Sequence, residues 1–204
     1  MKENFKALLC SYGFDSPVMW EKLRQVIPQN RELANKVCFC LPYAASNFEA
    51  AFRWDKKWLT AYGFMEDNIK LIKSKEDITA IKPDYIYVSG GDPFLLLKTI
   101  NGLGIRQQII DLCLAGAVYI GVSAGADITA ESIEYVMQLE DNNVLENDFT
   151  ALNLVKDYCI LCHYDRRSYL HKLSCENVAK KEALTINEDG LLLCENGKWQ
   201  YIGE

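Results

Sequence analysis

A serine on a glycine-flanked turn is the side chain of this sequence best suited to nucleophilic chemistry. The segment GVSAG, residues 121–125, fits the pattern G-x-S-x-G, which holds a serine hydroxyl at the sharp turn between a strand and a helix. The two glycines let strand and helix approach closely while Ser123 takes a strained backbone conformation. A structural turn can have the same spelling, but the apolar run AVYIG before it favours a nucleophile.

A serine nucleophile needs a base, and the chain contains only two histidines. His163 follows the apolar run DYCILC, which we predict to be a strand, so it should lie at a strand's carboxyl end, level with Ser123. His171, within SYLHKL, is more typical of a solvated helix surface. A carboxylate must orient the imidazole. Composition does not choose among the acidic residues between serine and histidine, which are Glu131, Glu134, Glu140, Asp141, Glu146 and Asp148.

The same histidine ends a second chemical pattern, C-x-x-C-H, within CILCHYD at residues 159–165. This pattern is typical of covalent haem attachment, and its side chains could also bind zinc or form a redox dithiol. Haem attachment requires an export route of which the sequence gives no sign, and zinc would need further ligands. The eight cysteines lie in apolar surroundings. We therefore predict that Cys159 and Cys162 are core residues and that the chain uses no metal and no cofactor.

Bulk composition excludes several classes of partner. The 204 residues carry a net charge of −6 at pH 7, the pI is near 5.1, and Lys and Arg form no run. We therefore expect no nucleic-acid partner and no membrane partner. The first residues lack the apolar core and cleavage site of a signal peptide, and no segment reaches about 18 apolar residues. A cytoplasmic location is expected.

The elements that must position these side chains alternate along the chain. Short β-type runs are followed by helical stretches, a pattern typical of βαβ units and a mainly parallel sheet. In the tail, the turn pairs at 189–190 and 196–197 separate apolar runs and predict a β-meander. We expect one α/β domain over residues 1–204, a three-layer αβα sandwich with this C-terminal meander. Ligands of such sheets bind beyond the carboxyl ends of the strands, here SGGD and GVSAGAD.

Four segments in sequence order carry a resemblance to a known family: VSGGDPFLLL, YIGVSAGAD, FTALNL and the segment around His163. Together they resemble the dipeptidase E and cyanophycinase group of serine peptidases, whose fold is similar to that of class I glutamine amidotransferases. The match covers residues 85–165 well. It implies that Ser123 is the nucleophile and that His163 is the general base and then the general acid. It also implies an acid shortly before FTALNL, for which we select Asp141, with Glu140 as the alternative.

The resemblance extends to the oxyanion hole and the substrate. It implies that the backbone N–H groups of Gly91 and Ala124 hold the oxyanion. Recognition of a substrate Asp would require a cation, for which Arg166 and Arg167 are available just after the histidine. The chain departs from the family at GGDP, residues 90–93, where the family often has G-G-N-T. This change removes one N–H and adds a negative charge near the expected oxyanion site.

These observations predict a serine hydrolase that cleaves small peptides through an acyl-enzyme, as aspartyl dipeptidases do. One alternative is an amidase or esterase with a non-peptide substrate. Another is a binding module that keeps the fold without catalysis. A homodimer could form through the aromatic residues of the predicted helix at 47–64, although helical spacing is more typical of core positions. These residues are Phe48, Phe52, Trp54, Trp58 and Tyr62.

Overall fold

The computed structural model describes residues 5–27, 29–144, 146–195 and 198–202, in which strands and helices alternate as predicted. The strands are β1 Lys6–Cys10, β2 Cys38–Leu41, β3 Ile69–Leu71, β4 Tyr85–Val88, β5 Val118–Val122, β6 Tyr158–Leu161, β7 Glu182–Thr185, β8 Leu191–Glu195 and β9 Lys198–Ile202. The α-helices are α1 Pro17–Arg24, α2 Phe48–Tyr62, α3 Lys75–Ala80, α4 Pro93–Leu103, α5 Arg106–Leu114, α6 Ala124–Asp127 and α7 Tyr169–Ala179. Short 3₁₀ helices cover Leu33–Asn35, Glu66–Asn68, Glu134–Gln138 and Tyr164–Arg166. None of the described helices has the length and apolar character needed to cross a membrane.

A seven-stranded sheet in the order β3-β2-β4-β5-β1-β8-β9 forms the centre of the molecule. The first five strands in this order run parallel to one another, and β8 and β9 add antiparallel. The predicted α/β class and the mainly parallel sheet are confirmed. Because β4, β5 and β1 are neighbours, the three turns that follow them meet at one edge of the sheet.

The C-terminal strands behave in two ways. β8 pairs with β1 and continues into β9, so the predicted meander extends the central sheet at this side. β7 does not join it, because it pairs in parallel with β6 in a separate two-stranded sheet. The strand before His163 is therefore outside the central sheet. The turn pair predicted at 196–197 lies outside the described residues.

Side chains on alternating positions of the strands pack into two apolar layers, one on each face of the sheet. Along β1, Ala7 and Leu9 face one layer, which also contains residues of α3, α4, α5, α6 and α7. Leu8 and Cys10 face the other layer, which contains residues of α1 and α2. Successive side chains of a strand point to opposite faces, so this division follows from the pleat. The three-layer αβα arrangement is confirmed.

Helix α2 covers the edge of the sheet near the serine turn. The Asn47 side chain accepts a hydrogen bond from the Ala50 N–H, which caps the first turn, and Gly63 follows the last residue with φ +134°. Leu59 and Tyr62 are buried against the sheet. The helix also buries one charged residue, Asp55, near its middle.

The aromatic residues of α2 do not share one environment. Tyr62 is 1% exposed and belongs to the core, whereas Trp54 is 52% exposed. Trp58 is half-buried and packs edge-on against Trp54, with ring centroids 5.8 Å apart. Tyr62 therefore serves packing, Trp54 lies at the surface, and the homodimer stays a prediction.

Candidate active site

The carboxyl ends of three adjacent strands place three serines beside one cavity. Ser11 follows β1, Ser89 follows β4 and Ser123 follows β5. The cavity has a volume of about 340 Å³ and is lined by all three serines, by the loop after β1 and by residues of α2. The sheet edge predicted to bind ligand therefore opens into a cavity of substrate size.

The turn at Ser123 has the geometry expected of a nucleophile elbow. Ser123 has φ 47° and ψ −110°, a strained conformation for a residue with a side chain. A Cβ atom on Gly121 would lie 2.5 Å from the carbonyl oxygen of Gly125, and one on Gly125 would overlap the carbonyl oxygen of Val88. Both glycines are thus required by close backbone approach. The backbone at this turn directs the Ser123 side chain into the cavity.

His163 lies within hydrogen-bonding distance of this serine. Ser123 Oγ and His163 Nε2 are 3.0 Å apart, and both residues line the cavity. His163 takes a left-handed conformation, with φ 55° and ψ 38°. Its backbone N–H donates to Ser11 Oγ at 2.8 Å, while Ser11 Oγ donates to the carbonyl oxygen of Ile186 at 3.0 Å. Ser11 therefore joins the histidine loop to the residue after β7 and fixes the backbone of His163.

The carboxylate beside the histidine is Glu188, which was not among the acids considered from the sequence. His163 Nδ1 and Glu188 Oε1 are 2.9 Å apart, and the Glu188 side chain is 14% exposed. Asp141 is exposed and has no bond to His163 among the described contacts, and Glu140 instead accepts from Arg167 at 3.4 Å. The selection of Asp141, and of Glu140 as its alternative, therefore does not fit the geometry.

The sheet topology explains why the acid comes from the tail. β8 runs antiparallel to β1, and Leu191 pairs with Cys10 at the carboxyl end of β1. The chain that leads into β8 must therefore pass the edge where Ser123 and His163 lie. Glu188 stands three residues before Leu191, in the turn between β7 and β8. The Asp-Gly pair after Glu188 marked this turn in the sequence, but nothing in the sequence assigned β8 to the strand beside β1.

Arg166 contacts the acid rather than the cavity. Its Nε donates to Glu188 Oε1 at 2.6 Å, and one of its terminal nitrogens donates to the Tyr12 hydroxyl at 2.9 Å. The Tyr12 ring lies edge-on to the His163 ring, with centroids 5.7 Å apart. Asp165 accepts the backbone N–H of Glu188 at 3.1 Å. The segment after the histidine thus holds Glu188 in place by two contacts.

Arg167 is also removed from the cavity. Its guanidinium pairs with Glu140, and its side chain is 19% exposed. It lies near Asp127, a buried carboxyl whose pKa is raised well above its usual value by burial. Neither arginine lines the cavity. The structure thus does not bring Arg166 or Arg167 to the position expected of substrate-binding residues.

Two backbone N–H groups are available for an oxyanion. Gly91 has φ +132°, and a Cβ atom there would lie 2.5 Å from the carbonyl oxygen of Ala44, so only glycine fits this turn. Its N–H has no hydrogen-bond acceptor among the described residues. Ala124 is the first residue of α6, so its N–H has no partner within the helix. Gly91 lines the cavity, and a Cβ on its neighbour Gly90 would contact the Ser123 Cβ at 3.2 Å.

The GGDP departure leaves this arrangement intact. Asp92 turns its carboxylate to the N-terminus of α4, where Oδ1 accepts the N–H groups of Phe94 and Leu95 at 2.8 and 3.0 Å. Pro93 occupies the first helical position, where the absent N–H would have no intrahelical partner. Neither Asp92 nor Pro93 lines the cavity. The added charge is thus used as a helix cap.

The remaining sequence candidates, two cysteines and a histidine, lie in the core or in a helix cap. Cys159 and Cys162 are buried, and the Sγ of Cys162 lies 3.8 Å from the Ser123 carbonyl oxygen. In the described part of the chain, no three His, Cys, Asp or Glu side chains group as metal ligands. His171 is exposed and accepts the backbone N–H of Ser168 at 3.0 Å, within the cap of α7.

Asp55 is a cavity residue that sequence analysis missed. It is 8% exposed, and burial raises its pKa from 3.8 to about 6. Hydrogen bonds from Ser89, Tyr87 and Cys40 act in the opposite direction, and the nearby charge of Asp15 adds to the rise. The helical period around Asp55 predicted an amphipathic helix, and a charged residue inside such a period is normally assigned to the solvated face.

Three of the known proteins that match this chain cover between 58% and 97% of it. The model of Peptidase family S51 matches residues 8–202. Uncharacterized peptidase Lin0382 of Listeria innocua is 30% identical over 185 residues, which are 81% of this chain and 88% of that protein. Peptidase E of Streptomyces coelicolor is 29% identical over 123 residues, 58% of this chain and 49% of that protein. A crystal structure from Listeria monocytogenes EGD-e, described as a candidate peptidase E, matches with a TM-score of 0.75 at 25% identity, over 97% of this chain and 98% of that one.

Proposed function

The chain belongs to peptidase family S51 and is a serine-type peptidase, and we propose that Ser123, His163 and Glu188 form its catalytic triad. The observation that carries this proposal is the continuous pair of contacts at the cavity. Ser123 Oγ lies 3.0 Å from His163 Nε2, and His163 Nδ1 lies 2.9 Å from Glu188 Oε1. Each distance is within the range at which a proton can be shared or transferred.

Acylation begins with attack of Ser123 Oγ on the carbonyl carbon of the scissile bond. The serine proton passes to His163 Nε2, and Glu188 stabilises the resulting imidazolium through the Nδ1–H. The negative charge on the carbonyl oxygen is held by the N–H groups of Gly91 and Ala124, which are fixed before substrate binds. The C–N bond then breaks as the imidazolium gives its proton to the leaving amine.

Deacylation uses the same groups in reverse. Water gives a proton to His163 and attacks the ester carbon, the C–O bond to Ser123 breaks, and the serine recovers its proton from the imidazolium. Glu188 keeps the ring in the tautomer that presents Nε2 to the serine. Neither step needs a metal or a cofactor.

We propose a short peptide, of dipeptide size, as the substrate. A volume of about 340 Å³ at the serine is large enough for one or two residues. The name Peptidase E, which relatives carry, is compatible with a peptide substrate. An N-terminal Asp bound by Arg166 or Arg167 is not part of the proposal, because both guanidiniums pair with glutamates outside the cavity lining.

The decisive experiment compares wild type with Ser123→Ala on a panel of dipeptides that includes Lys-X, Ala-X and Asp-X. We expect release of free amino acids by wild type and a loss of at least about 10³-fold in the variant, because the covalent step is removed. Ser46→Ala, at an exposed serine outside the cavity, is the matched control and should retain full activity.

Two results would contradict this proposal. Equal turnover by wild type and Ser123→Ala would exclude the serine mechanism. Ser123-dependent cleavage of activated esters, without cleavage of any peptide on the panel, would instead favour an amidase or esterase with another substrate. Labelling of Ser123 by a fluorophosphonate distinguishes an active elbow from a folded but inert one in either case.

A further inference from the structure

The cavity that contains the nucleophile is acidic and aromatic. Two carboxylates, those of Asp15 and Asp55, line it together with Ser123 and His163. No lysine or arginine is present among the described lining residues. A substrate carboxylate would therefore meet two like charges there and no opposite charge. A substrate cation would meet two opposite charges.

Asp55 is the more significant of the two because it is buried. Its described partners are the Ser89 hydroxyl, the Tyr87 hydroxyl at 3.5 Å and the Cys40 thiol at 3.8 Å, and all three are neutral. No described lysine, arginine or histidine forms an ion pair with it. Withdrawing a carboxylate from water without a cation is costly, and proteins retain such groups mainly where function requires them. A bound cation would supply the missing partner.

The position of Asp55 connects it to the reacting atoms. It bonds to Ser89, and the next residue, Gly90, is in contact with Ser123, since a Cβ on Gly90 would lie 3.2 Å from the Ser123 Cβ. Gly91, the expected oxyanion donor, follows directly. The Asp55 carboxylate therefore contacts the residue that precedes Gly90, and Gly90 contacts the nucleophile. Asp55 and Ser123 line the same cavity, so we expect a residue bound with its carbonyl at Ser123 to lie beside this carboxylate.

The aromatic walls favour the same sign of charge. Trp54, Trp58 and Tyr87 line the cavity, and the faces of such rings attract cations. Lys57, which does not line the cavity, already places its Nζ 5.6 Å and 5.2 Å from the ring centroids of Trp54 and Trp58. These indoles thus lie where a cation is accepted. The aromatic rings and the two carboxylates that line the cavity therefore both favour a positively charged ligand.

We propose that Asp55, assisted by Asp15, selects substrates that carry a positive charge on the residue whose carbonyl Ser123 attacks. The cation can be the free α-ammonium of that residue or the side chain of Lys or Arg. By the same electrostatics the cavity discriminates against an N-terminal Asp. This inference rests on the proposed serine mechanism and adds the substrate class to it.

The first test measures kcat/KM of the wild-type enzyme for Lys-Ala, Arg-Ala, Ala-Ala and Asp-Ala. We expect the two basic substrates to be preferred over Asp-Ala by at least about 100-fold, with Ala-Ala between them. Asp55→Asn should reduce kcat/KM for the basic substrates at least about 10-fold, mainly through KM, and should narrow their advantage over Asp-Ala. Asp111→Asn, at an exposed aspartate outside the cavity, is the matched control and should change neither value.

A binding measurement keeps the inference separate from catalysis. Ser123→Ala is titrated by calorimetry with lysine amide, alanine amide, Nα-acetyl-lysine amide and aspartic acid α-amide. Tighter binding of the acetylated compound than of alanine amide would assign the cation to the side chain, and the reverse order would assign it to the α-ammonium. Either order supports the proposal if aspartic acid α-amide binds weakest.

Failure of this inference and failure of the proposed function give different results. Ser123-dependent cleavage with Asp-Ala equal to or better than Lys-Ala would overturn the inference and leave the mechanism in place. If no cleavage depends on Ser123 but the cationic amides bind preferentially, the mechanism is overturned and the inference about charge stays in place. If Asp55→Asn does not fold, Asp15→Asn is the second variant. Its ratio of kcat/KM for Lys-Ala to kcat/KM for Asp-Ala is measured at low and at high salt, and a ratio equal to that of wild type at both would count against the proposal.

Discussion

A single carboxylate oxygen connects the base of the site to its surroundings. Glu188 Oε1 lies 2.9 Å from His163 Nδ1 and accepts Arg166 Nε at 2.6 Å. The arginine holds this oxygen beside the imidazole, and an acceptor fixed at Nδ1 is what sets the histidine tautomer. Arg166, which the sequence suggested for substrate binding, thus acts as a positioning residue for the acid. Its contact with Tyr12 extends the same support to the cavity wall.

Replacement of this acid tests its role at the residue scale. In Glu188→Gln the side chain keeps its size but can place an N–H beside the imidazole, which favours the wrong tautomer. We expect kcat to fall by about 10³–10⁴-fold with little change in KM. Steady-state kinetics on the best dipeptide of the panel gives both values.

The controls for this variant are the two acids selected from the sequence. Asp141→Asn and Glu140→Gln should retain kcat close to that of wild type, since neither side chain is bonded to His163 among the described contacts. A large loss in Asp141→Asn together with near-normal Glu188→Gln would show that the carboxylate seen at the histidine is not the catalytic one.

At the element scale, the elbow is a packing problem between β5, α6 and β4. Gly125 lets α6 lie against β4, because any Cβ there would overlap the backbone of Val88. Gly121 similarly lets β5 approach the backbone of Gly125. The elbow therefore depends on three backbones in contact. Its serine is held at φ 47° by these contacts rather than by its own preference.

A pair of glycine substitutions separates this constraint from ordinary helix propensity. Gly125→Ala should lower the free energy of unfolding by about 2–3 kcal/mol and abolish most activity, because the elbow must shift. Gly102→Ala, in α4 with no atom near the added methyl group, should be neutral or stabilising by up to about 1 kcal/mol. Urea unfolding and dipeptide turnover of both variants check this. Equal stability changes in the two variants would contradict the packing explanation.

Helices and strands could be predicted from the sequence where a local signal defines them. The candidate site could be predicted only in part. Periodicity predicted the alternating fold. The GVSAG turn and the choice between only two histidines predicted that Ser123 and His163 lie close together. Glu188 could not be selected, because its proximity to His163 arises from the antiparallel pairing of β8 with β1, which is a long-range contact. Asp55 was missed because the helical period describes a helix face and does not indicate a cavity beyond it.

At the scale of the whole molecule, the order of strands assembles a site from distant parts of the chain. The turns after β4, β5 and β1 bring Gly91, Ser123 and Ser11 to the cavity, and the chain entering β8 brings Glu188 to His163. Helix α2, from the opposite end of the sequence to Glu188, covers the cavity with Asp55. The charge of Asp55 therefore affects both the cavity and the stability of the packing between α2 and the sheet.

Because Asp55 is buried, we predict that its ionisation lowers the free energy of unfolding. Its pKa is raised from 3.8 to about 6, chiefly by burial. Between these values the unfolded chain releases the proton before the folded one does, so stability falls as pH rises through about 4 to 7. Asp55→Asn removes this cost. Relative to wild type, its free energy of unfolding should therefore rise by about 2–3 kcal/mol between pH 4 and pH 8, as measured by urea unfolding at both pH values. If the difference in free energy of unfolding between variant and wild type does not change with pH, the burial of Asp55 does not raise its pKa as stated. If the variant is stable and still prefers cationic dipeptides, the charge of Asp55 does not determine the substrate preference.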